Sequence, residues 1–156
     1  DIAVITGDLN KLSGKIRFES FKDALLRHGL PLNNDFIAYG DFTENSGYEG
    51  MKKILASGKK PTAVFTSNDT MAIGAYRAIK EYGLKIPEDI SVMGFDNSYI
   101  SQYMSPPLTT VNVSLPEIAK CSIELLLDSI NNKEIKNRQK TVNVQIVKRN
   151  SCKKIV

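Results

Sequence analysis

Short apolar runs alternate with longer amphipathic segments along most of the chain. The short runs are rich in β-branched and aromatic residues, which predicts buried strands. Five such strands are expected, at positions 2–6, 36–39, 63–66, 90–95 and 109–113. The segments between the first four carry apolar residues at helical spacing, at about 13–28, 43–58 and 70–82. Strands that alternate with helices predict βαβ units and an α/β fold of three layers, a parallel sheet flanked by helices.

Polar and small residues mark the ends of these predicted helices. Ser13, Asp69 and either Thr43 or Asn45 are suited to capping the first turns, because their side chains accept hydrogen bonds from free backbone amides. A glycine follows the last turn of each helix, where a left-handed residue is favoured. These glycines are Gly29, Gly58 and Gly83.

The third helix carries two apolar stripes. The stripe expected to face the sheet consists of Met71, Ala75, Ala78, Ile79 and Tyr82. The other is formed by Ala72, Ile73 and Tyr76, and a helix that is apolar on two sides is covered on both. We therefore predict that a second subunit covers this stripe, in a homodimer whose interface includes Ile73, Tyr76 and Met104.

The last part of the chain has a different pattern. An amphipathic helix is expected at 114–131, followed by a polar connection at 131–140. The segment 141–149 then alternates, with Val142, Val144 and Ile146 predicted to point inward and the residues between and after them, including Val147, outward. Such alternation is typical of an edge strand more than of a central one.

Composition is that of an ordinary soluble globular protein. The chain has 156 residues, of which 42% are hydrophobic and 24% charged, and this length suits one domain. No apolar run is long enough to cross a bilayer, so no membrane partner is expected. The chain begins at Asp1, directly before a strand, and we expect it to be part of a longer protein.

Positive charge is concentrated at the end of the chain. The net charge is +4, but residues from Lys133 onward carry eight Lys or Arg and one acid, whereas residues 1–132 carry thirteen and sixteen. No aromatic residues alternate with this basic stretch to stack on bases. We therefore interpret it as a solvated terminus rather than as a nucleic-acid site.

Sequence patterns that signal catalysis or cofactor binding are missing. The chain has neither a G-x-x-x-x-G-K-[ST] nor a G-x-G-x-x-G loop, and no serine in a G-x-S-x-G elbow. The single histidine, His28, precedes a glycine that ends a helix, where its charge complements the helix dipole. With only Cys121 and Cys152 beside it, neither a zinc site nor a disulfide framework is expected. We predict no enzyme, no cofactor, no metal and a cytoplasmic location.

Polar residues cluster where two predicted strands end. Asn68 and Asp69 follow the third strand, and Asp96 and Asn97 follow the fourth. The carboxyl ends of parallel strands converge on one crevice, which is where open α/β sheets bind ligands. Asn68 and Asp96 are expected to face the ligand, whereas Asp69 is expected mainly to cap its helix.

Two further side chains complete a set that suits a polyol. Arg17, expected in the first turn of its helix, offers a planar fork of donors, and Phe42, just past a strand end, offers an apolar platform. Vicinal hydroxyls pair with a carboxylate or a guanidinium, while the C–H face of a sugar packs on an aromatic ring. The sequence therefore predicts a site for a sugar or a similar small polar molecule.

Segments along nearly the whole chain resemble the lactose/galactose repressor (LacI/GalR) family of bacterial transcription regulators. They are SGKIRFESF (13–21), GDFTENSGY (40–48), PTAVFTSNDTMAIGA (61–75), IPEDISVMGFDN (86–97), PPLTTV (106–111) and VKRNS (147–151). The resemblance implies a periplasmic-binding-protein-like fold of type I, with an effector in the cleft between two subdomains. It places Arg17, Asn68 and Asp96 at effector-contacting positions, Phe42 at a ring contact and Asp8 near the cleft mouth.

The resemblance also divides the chain. It implies that residues 1–113 form the C-terminal effector-binding subdomain, that 141–151 hold its return strand, and that 114–131 form a crossover helix of the other subdomain. The DNA-binding domain of the family lies upstream, so operator DNA is expected to be bound only through that missing part. Without its subdomain, the crossover helix is expected to pack on a second copy or to fold back on its own subdomain.

An extracytoplasmic sugar-binding protein of a transport system shares the expected fold and is the main alternative. Segments 86–97 and 106–111 resemble regulators more closely than transport proteins. The second apolar stripe also favours a constitutive dimer, whereas transport binders are commonly monomers. An upstream helix-turn-helix would support the regulator, and an upstream signal peptide would support the transport protein.

Overall fold

The computed structural model of the protein describes residues 1–131 and 139–154. The strands are β1 (Ile2–Thr6), β2 (Ile37–Tyr39), β3 (Ala63–Thr66), β4 (Ser91–Asp96), β5 (Thr109–Val113) and β6 (Val144–Val147). The helices are α1 (Leu12–Arg27), α2 (Glu44–Ala56), α3 (Asp69–Glu81) and α4 (Leu115–Ile130), with short 3-10 helices at Asn34–Phe36 and Tyr99–Tyr103. The predicted polar connection at 131–140 lies mostly outside the described residues.

The six strands form a sheet in the order β2-β1-β3-β4-β5-β6. Strands β1 to β5 run parallel, and β6 pairs antiparallel with β5 at the edge. β1 lies between β2 and β3, since Val4 pairs with Ile37 on one side and with Phe65 on the other. The connection from β1 to β2 therefore runs one way along the sheet and the connection from β2 to β3 runs back past β1 the other way, which opens a crevice outside the carboxyl ends of β1 and β3. The predicted α/β class and the edge position of the last strand are confirmed.

The α2–α3 side of the sheet holds the larger part of the core. Its fully buried side chains include Ile5, Met51, Ile54, Met71 and Ile79. The two helices approach closely because each has a glycine at the crossing. A Cβ on Gly74 would lie 2.0 Å from the Glu44 carbonyl oxygen, and a Cβ on Gly47 would lie 2.1 Å from the Met71 carbonyl oxygen. Both positions need glycine, because a packed backbone yields less readily than a flexible side chain.

This packing changes the interpretation of the second apolar stripe on α3. Ala72 is fully buried within the chain, whereas Ile73 and Tyr76 stay partly exposed. No second subunit is needed to cover Ala72, and only the other two remain available to a partner. Tyr82, predicted to face the sheet, is 46% exposed, because it lies beyond the last helical residue at the C-cap.

Two local predictions are wrong. Helix α1 begins at Leu12 with Lys11 as its N-cap and no capping side-chain bond there, so Ser13 already lies inside the first turn. In β6, Val144 and Ile146 are 53% and 60% exposed, whereas Val147 is partly covered. The prediction that Val144 and Ile146 point inward is thus wrong, and Val147 is the partly covered residue of the strand, because the register places it opposite the fully buried Thr110 of β5.

Helix α4 is formed as predicted, but the rest of the described chain covers it only in part. Ser114 caps its start, and none of its residues is buried. Its exposed large apolar side chains are Leu115, Ile118, Ile123, Leu126, Leu127 and Ile130. The single chain therefore does not bury α4 by folding it back, which was one of the two expectations. No helix in the described ranges is long and apolar enough to cross a membrane.

Candidate functional site

Arg17 lies at the centre of the polar set at the carboxyl edge. It belongs to the second turn of α1, not the first, and its side chain is 21% exposed. Its Nη1 donates to the Ser67 carbonyl oxygen, and its Nη2 lies 3.3 Å from Oδ1 of Asp96. The guanidinium carbon is 3.8 Å from the centroid of the Phe95 ring. Stacking and two hydrogen bonds fix the plane of the fork, which prepares it for directional binding.

Asp96 ends β4 with its carboxylate half exposed, at 44%. Its φ is +108°, and Asn97 follows at +52°. Burial raises the pKa of the Asp96 carboxyl above its ordinary value; the Arg17 guanidinium opposes this shift, and the Asp69 carboxylate adds to it. The carboxylate is thus only partly compensated by the protein, and a ligand that donates hydrogen bonds would supply the rest.

Phe42 provides the aromatic surface predicted for this edge. Its φ of +73° turns the chain just after β2, and its ring occupies the space that a side chain at Gly7 would fill, at 2.1 Å from the added Cβ. The Arg17 guanidinium lies 5.8 Å from the ring centroid, and the Lys11 ammonium 6.0 Å. The half-buried ring therefore stands beside the charged pair, as a sugar or base platform requires.

The two residues after β3 do not divide their roles as predicted. Asn68, not Asp69, caps α3, with its Oδ1 accepting from the Met71 amide at 2.8 Å. Its Nδ2 donates to the Phe42 carbonyl oxygen at 3.0 Å, so one of its two amide hydrogens remains for a ligand. Asp69 is the first residue of the helix and is only 1% exposed. The prediction that Asp69 mainly caps the helix is wrong.

Asp8 is engaged locally rather than with the other site residues. Its Oδ1 accepts from the Asn10 amide at 2.9 Å, and its carbonyl oxygen accepts from the Lys11 amide. A Cβ on Gly14 would lie 2.2 Å from that carbonyl oxygen, so the loop is pressed against α1. Asp8 thereby holds the start of the helix that carries Arg17.

Backbone strain marks the same edge of the sheet. In the described residues the non-glycine residues with positive φ are Phe42, Asp96 and Asn97. Such conformations cost about 1–3 kcal/mol each and cluster at ligand sites, where the surroundings hold them in place. All three follow or end strands at the crevice.

Several contributors to the site escaped the sequence interpretation. Phe95 was assigned to a buried strand, yet its ring supports Arg17. The Ser67 carbonyl oxygen binds the same guanidinium, and Ser67 Oγ is the buried side-chain oxygen without a hydrogen-bond partner in the described ranges. The backbone acceptor at Ser67 cannot be identified from residue spacing. Phe95 could have been identified, because it is an aromatic residue directly before the Asp that ends its strand. No group of His, Cys, Asp or Glu in the described ranges is placed to hold a metal.

Comparisons with known proteins find relatives along nearly the whole chain. The periplasmic binding protein-like domain family matches residues 1–152. The chain is 43% identical over 153 residues to the HTH-type transcriptional repressor PurR of Pasteurella multocida (strain Pm70), covering 98% of this chain and 46% of that protein. It is 34% identical over 151 residues to the ribose operon repressor of Escherichia coli (strain K12), covering 97% and 46%.

A solved structure shows the same fold at similar coverage. The lac repressor dimer bound to operator and the anti-inducer ONPF superposes with a TM-score of 0.90 at 31% identity, covering 97% of this chain and 52% of that one. The chain spans about half the length of the curated relatives that it matches.

Proposed function

Because the chain belongs to the periplasmic-binding-protein-like domain family, in the form found in LacI-family regulators, we propose that it is the effector-binding and dimerising portion of a bacterial sequence-specific transcription repressor. The observation that carries the proposal is the set of Arg17, Asp96, Asn68 and Phe42 at the sheet's switch point. Residues 1–113 and 141–151 would form the C-terminal subdomain, and 114–131 would cross to the other one.

The chemistry of this set favours a sugar or a similar polyol as the effector. The guanidinium of Arg17 and the carboxylate of Asp96 lie 3.3 Å apart and offer donors and acceptors side by side. Adjacent hydroxyls can bridge such groups, donating to the carboxylate and accepting from the guanidinium. The Phe42 ring next to them gives the C–H face of the sugar an apolar contact. No nucleophile–base pair accompanies these groups in the described ranges, so we propose binding without catalysis.

Helix α4 supports the division into two subdomains. A helix with six large exposed apolar side chains and no buried residue is unfavourable in water, at roughly 1.5–3 kcal/mol for each such side chain that could be buried. The subdomain that precedes Asp1 in the whole protein would cover this helix. The same subdomain would supply the opposite wall of the cleft, and the chain alone would hold half a site.

A homodimer is proposed through Ile73, Tyr76 and Met104. Tyr76 is anchored by donating to the Pro106 carbonyl oxygen at 3.1 Å, and burial strongly raises the pKa of its hydroxyl. All three side chains are partly exposed and apolar, and Tyr and Met are enriched at interfaces. Sedimentation of Ile73→Asp beside Leu26→Asp, at an exposed leucine of α1, tests this: a dimer that survives the first change contradicts it.

The repressor function is favoured over the transport alternative by the relatives. Both curated relatives are named as repressors, and the solved dimer is bound to operator. We propose that operator DNA is bound through a domain upstream of Asp1, in the cytoplasm, and that the effector biases this binding by shifting the relation between subdomains.

A thermal-shift screen of the full-length protein tests the site. The panel consists of pentoses, hexoses, disaccharides and purine bases, applied to the wild type, Asp96→Ala and the control Asp23→Ala, which removes an exposed carboxylate from α1. We expect a sugar to raise the melting temperature of the wild type and the control, and Asp96→Ala to lose the shift. A compound that still raises the melting temperature of Asp96→Ala would contradict the proposed site. If only a purine raises the melting temperature, the proposal that the effector is a sugar is wrong.

A further inference from the structure

Asp69 is a buried carboxylate whose hydrogen bonds lead away from its own helix. Its Oδ2 accepts from the Ser98 amide at 2.7 Å and from the Ser98 hydroxyl at 3.1 Å. Its Oδ1 accepts from Thr110 Oγ1 at 2.6 Å. A Cβ on Gly94 would lie 2.3 Å from Oδ1, so the glycine in β4 makes room for the carboxylate. Three donors and the amino end of α3 stabilise the charge without a cationic partner being needed.

These bonds enclose the left-handed turn that carries the ligand-facing carboxylate. Asp96 and Asn97 lie directly before Ser98, and the Asn97 amide donates to Thr110 Oγ1 at 3.3 Å. The Thr110 hydroxyl therefore accepts from the turn and donates to Asp69. A φ of +108° at Asp96 is unfavourable for a residue with a Cβ, so bonds of this kind are needed to keep it.

A second support reaches the same turn from the return segment. Arg149 Nη2 donates to Asn97 Oδ1 at 2.8 Å, and its Nη1 donates to the Leu108 carbonyl oxygen at 2.7 Å and to Ser101 Oγ at 3.1 Å. Asn97 Nδ2 donates in turn to Asn112 Oδ1 at 2.9 Å. The turn is therefore held from α3, from β5 and from the segment after β6, although neither Asp69 nor Arg149 bonds to Asp96 itself.

We infer that Asp69 and Arg149 are positioning residues, which hold the Asp96–Asn97 turn so that the Asp96 carboxylate meets the effector and Arg17 in one fixed geometry. The inference rests on the proposed binding function of the site. It also gives the acid near Asp96 a role: the charge of Asp69 disfavours ionised Asp96, yet its three hydrogen bonds fix the turn.

Calorimetric titration with D-ribose, measured on full-length protein, tests the inference at the level of binding. The variants are Asp69→Asn, which removes the buried charge, and Thr110→Val, which removes the hydroxyl that bridges Asp69 and the turn. The controls are Glu44→Gln, an acid in the first turn of α2, and Ile79→Val, which thins the core away from the site. We expect the first two to weaken binding about tenfold or more, since hydrogen bonds to charged groups are involved. Equal affinity in wild type, Asp69→Asn and Thr110→Val would overturn the inference.

Backbone ¹³C chemical shifts of Asp96 and Asn97 give a test that needs no ligand. We expect both residues to move away from left-handed values in Asp69→Asn, Thr110→Val and Arg149→Met, and to stay unchanged in Ile79→Val. If the shifts of Asp96 and Asn97 stay unchanged in the first three variants, the inference is overturned. This holds even if the affinity falls, because Asp69 would then affect binding directly and not through the turn. If D-ribose does not bind the wild type, the titration counts against ribose as effector, while the shifts still decide the positioning role.

Discussion

On the α2–α3 side of the sheet, Ile54 and Met71 are fully buried, and glycines bring two helices into backbone contact. The cleft side, which comprises the carboxyl edge of the sheet and α4, has a half-exposed carboxylate, three left-handed residues and a helix with no buried side chain. The core of the first side is buried within this chain, whereas the second side leaves charged and apolar groups exposed. Stability and the proposed ligand binding therefore depend on different parts of the chain.

The largest effect on stability is expected from truncating one apolar side chain on the α2–α3 side and one on α4. Ile54→Ala should lower the free energy of unfolding by about 2–5 kcal/mol, because it leaves a cavity among fully buried side chains. Leu126→Ala, at a side chain of α4 that is 54% exposed, should cost under about 1 kcal/mol. Urea denaturation of residues 1–156 measures both. Equal losses of stability in the two variants would show that α4 is covered in solution, and the contrast between the two sides would then be wrong.

A smaller effect is expected at the crossing of α2 and α3. Gly74→Ala should cost about 1–3 kcal/mol, because the added methyl group meets the Glu44 carbonyl oxygen in an already packed interface. Ala is otherwise the better helix former, so a site free of contact would gain stability from the same change. Thermal unfolding followed by circular dichroism decides the sign. A rise in melting temperature would contradict the close contact of the two helices.

The smallest effects come from two carboxylates with opposite pKa shifts. Hydrogen bonds from the side chains of Thr43 and Ser46 lower the pKa of Asp41 at the start of α2, so its stabilisation is present above its unfolded pKa and is lost as the pH falls through the folded one. Burial raises the pKa of Asp96, so its contribution is favourable at low pH and is lost as the pH rises through the raised value.

Replacing each acid by asparagine tests these signs. At pH 7, Asp41→Asn should lower the free energy of unfolding, whereas Asp96→Asn should leave it unchanged or raise it, because a partly buried charge is removed and Asn tolerates positive φ. Urea midpoints measured between pH 3 and pH 7 should converge with the wild type at low pH for Asp41→Asn. A clear loss of stability in Asp96→Asn would mean that the cleft carboxylate serves the fold rather than a ligand.

The sequence predicted the structure of the α2–α3 side better than that of the cleft side. Helical spacing located α2, and its N-cap is Thr43, one of the two residues predicted for that role. The resemblance to the repressor family selected Arg17, Asn68 and Asp96 together. It was not predictable locally that Asn68 rather than Asp69 caps the helix, because both residues are good caps. Their roles are decided by Ser98 and Thr110, which β4 and β5 bring to Asp69 from about thirty and forty positions further along the chain.

The wrong prediction for Val144 and Ile146 in β6 has a comparable cause. Its alternating valines and isoleucine fit either face, and the choice depends on the register with β5, which a single sequence does not encode. For α4, the pattern correctly indicated an apolar face. The pattern does not identify what that face contacts, and we propose that a subdomain of the longer protein covers it.

The most direct test of the central claim compares residues 1–156 with the longer protein that includes the segment preceding Asp1. Calorimetry with the best sugar of the screen should show binding to the longer protein and affinity weaker by about 100-fold or more for residues 1–156, since one wall of the cleft would be missing. Equal affinity would contradict the account, because the cleft side would then be complete within this chain.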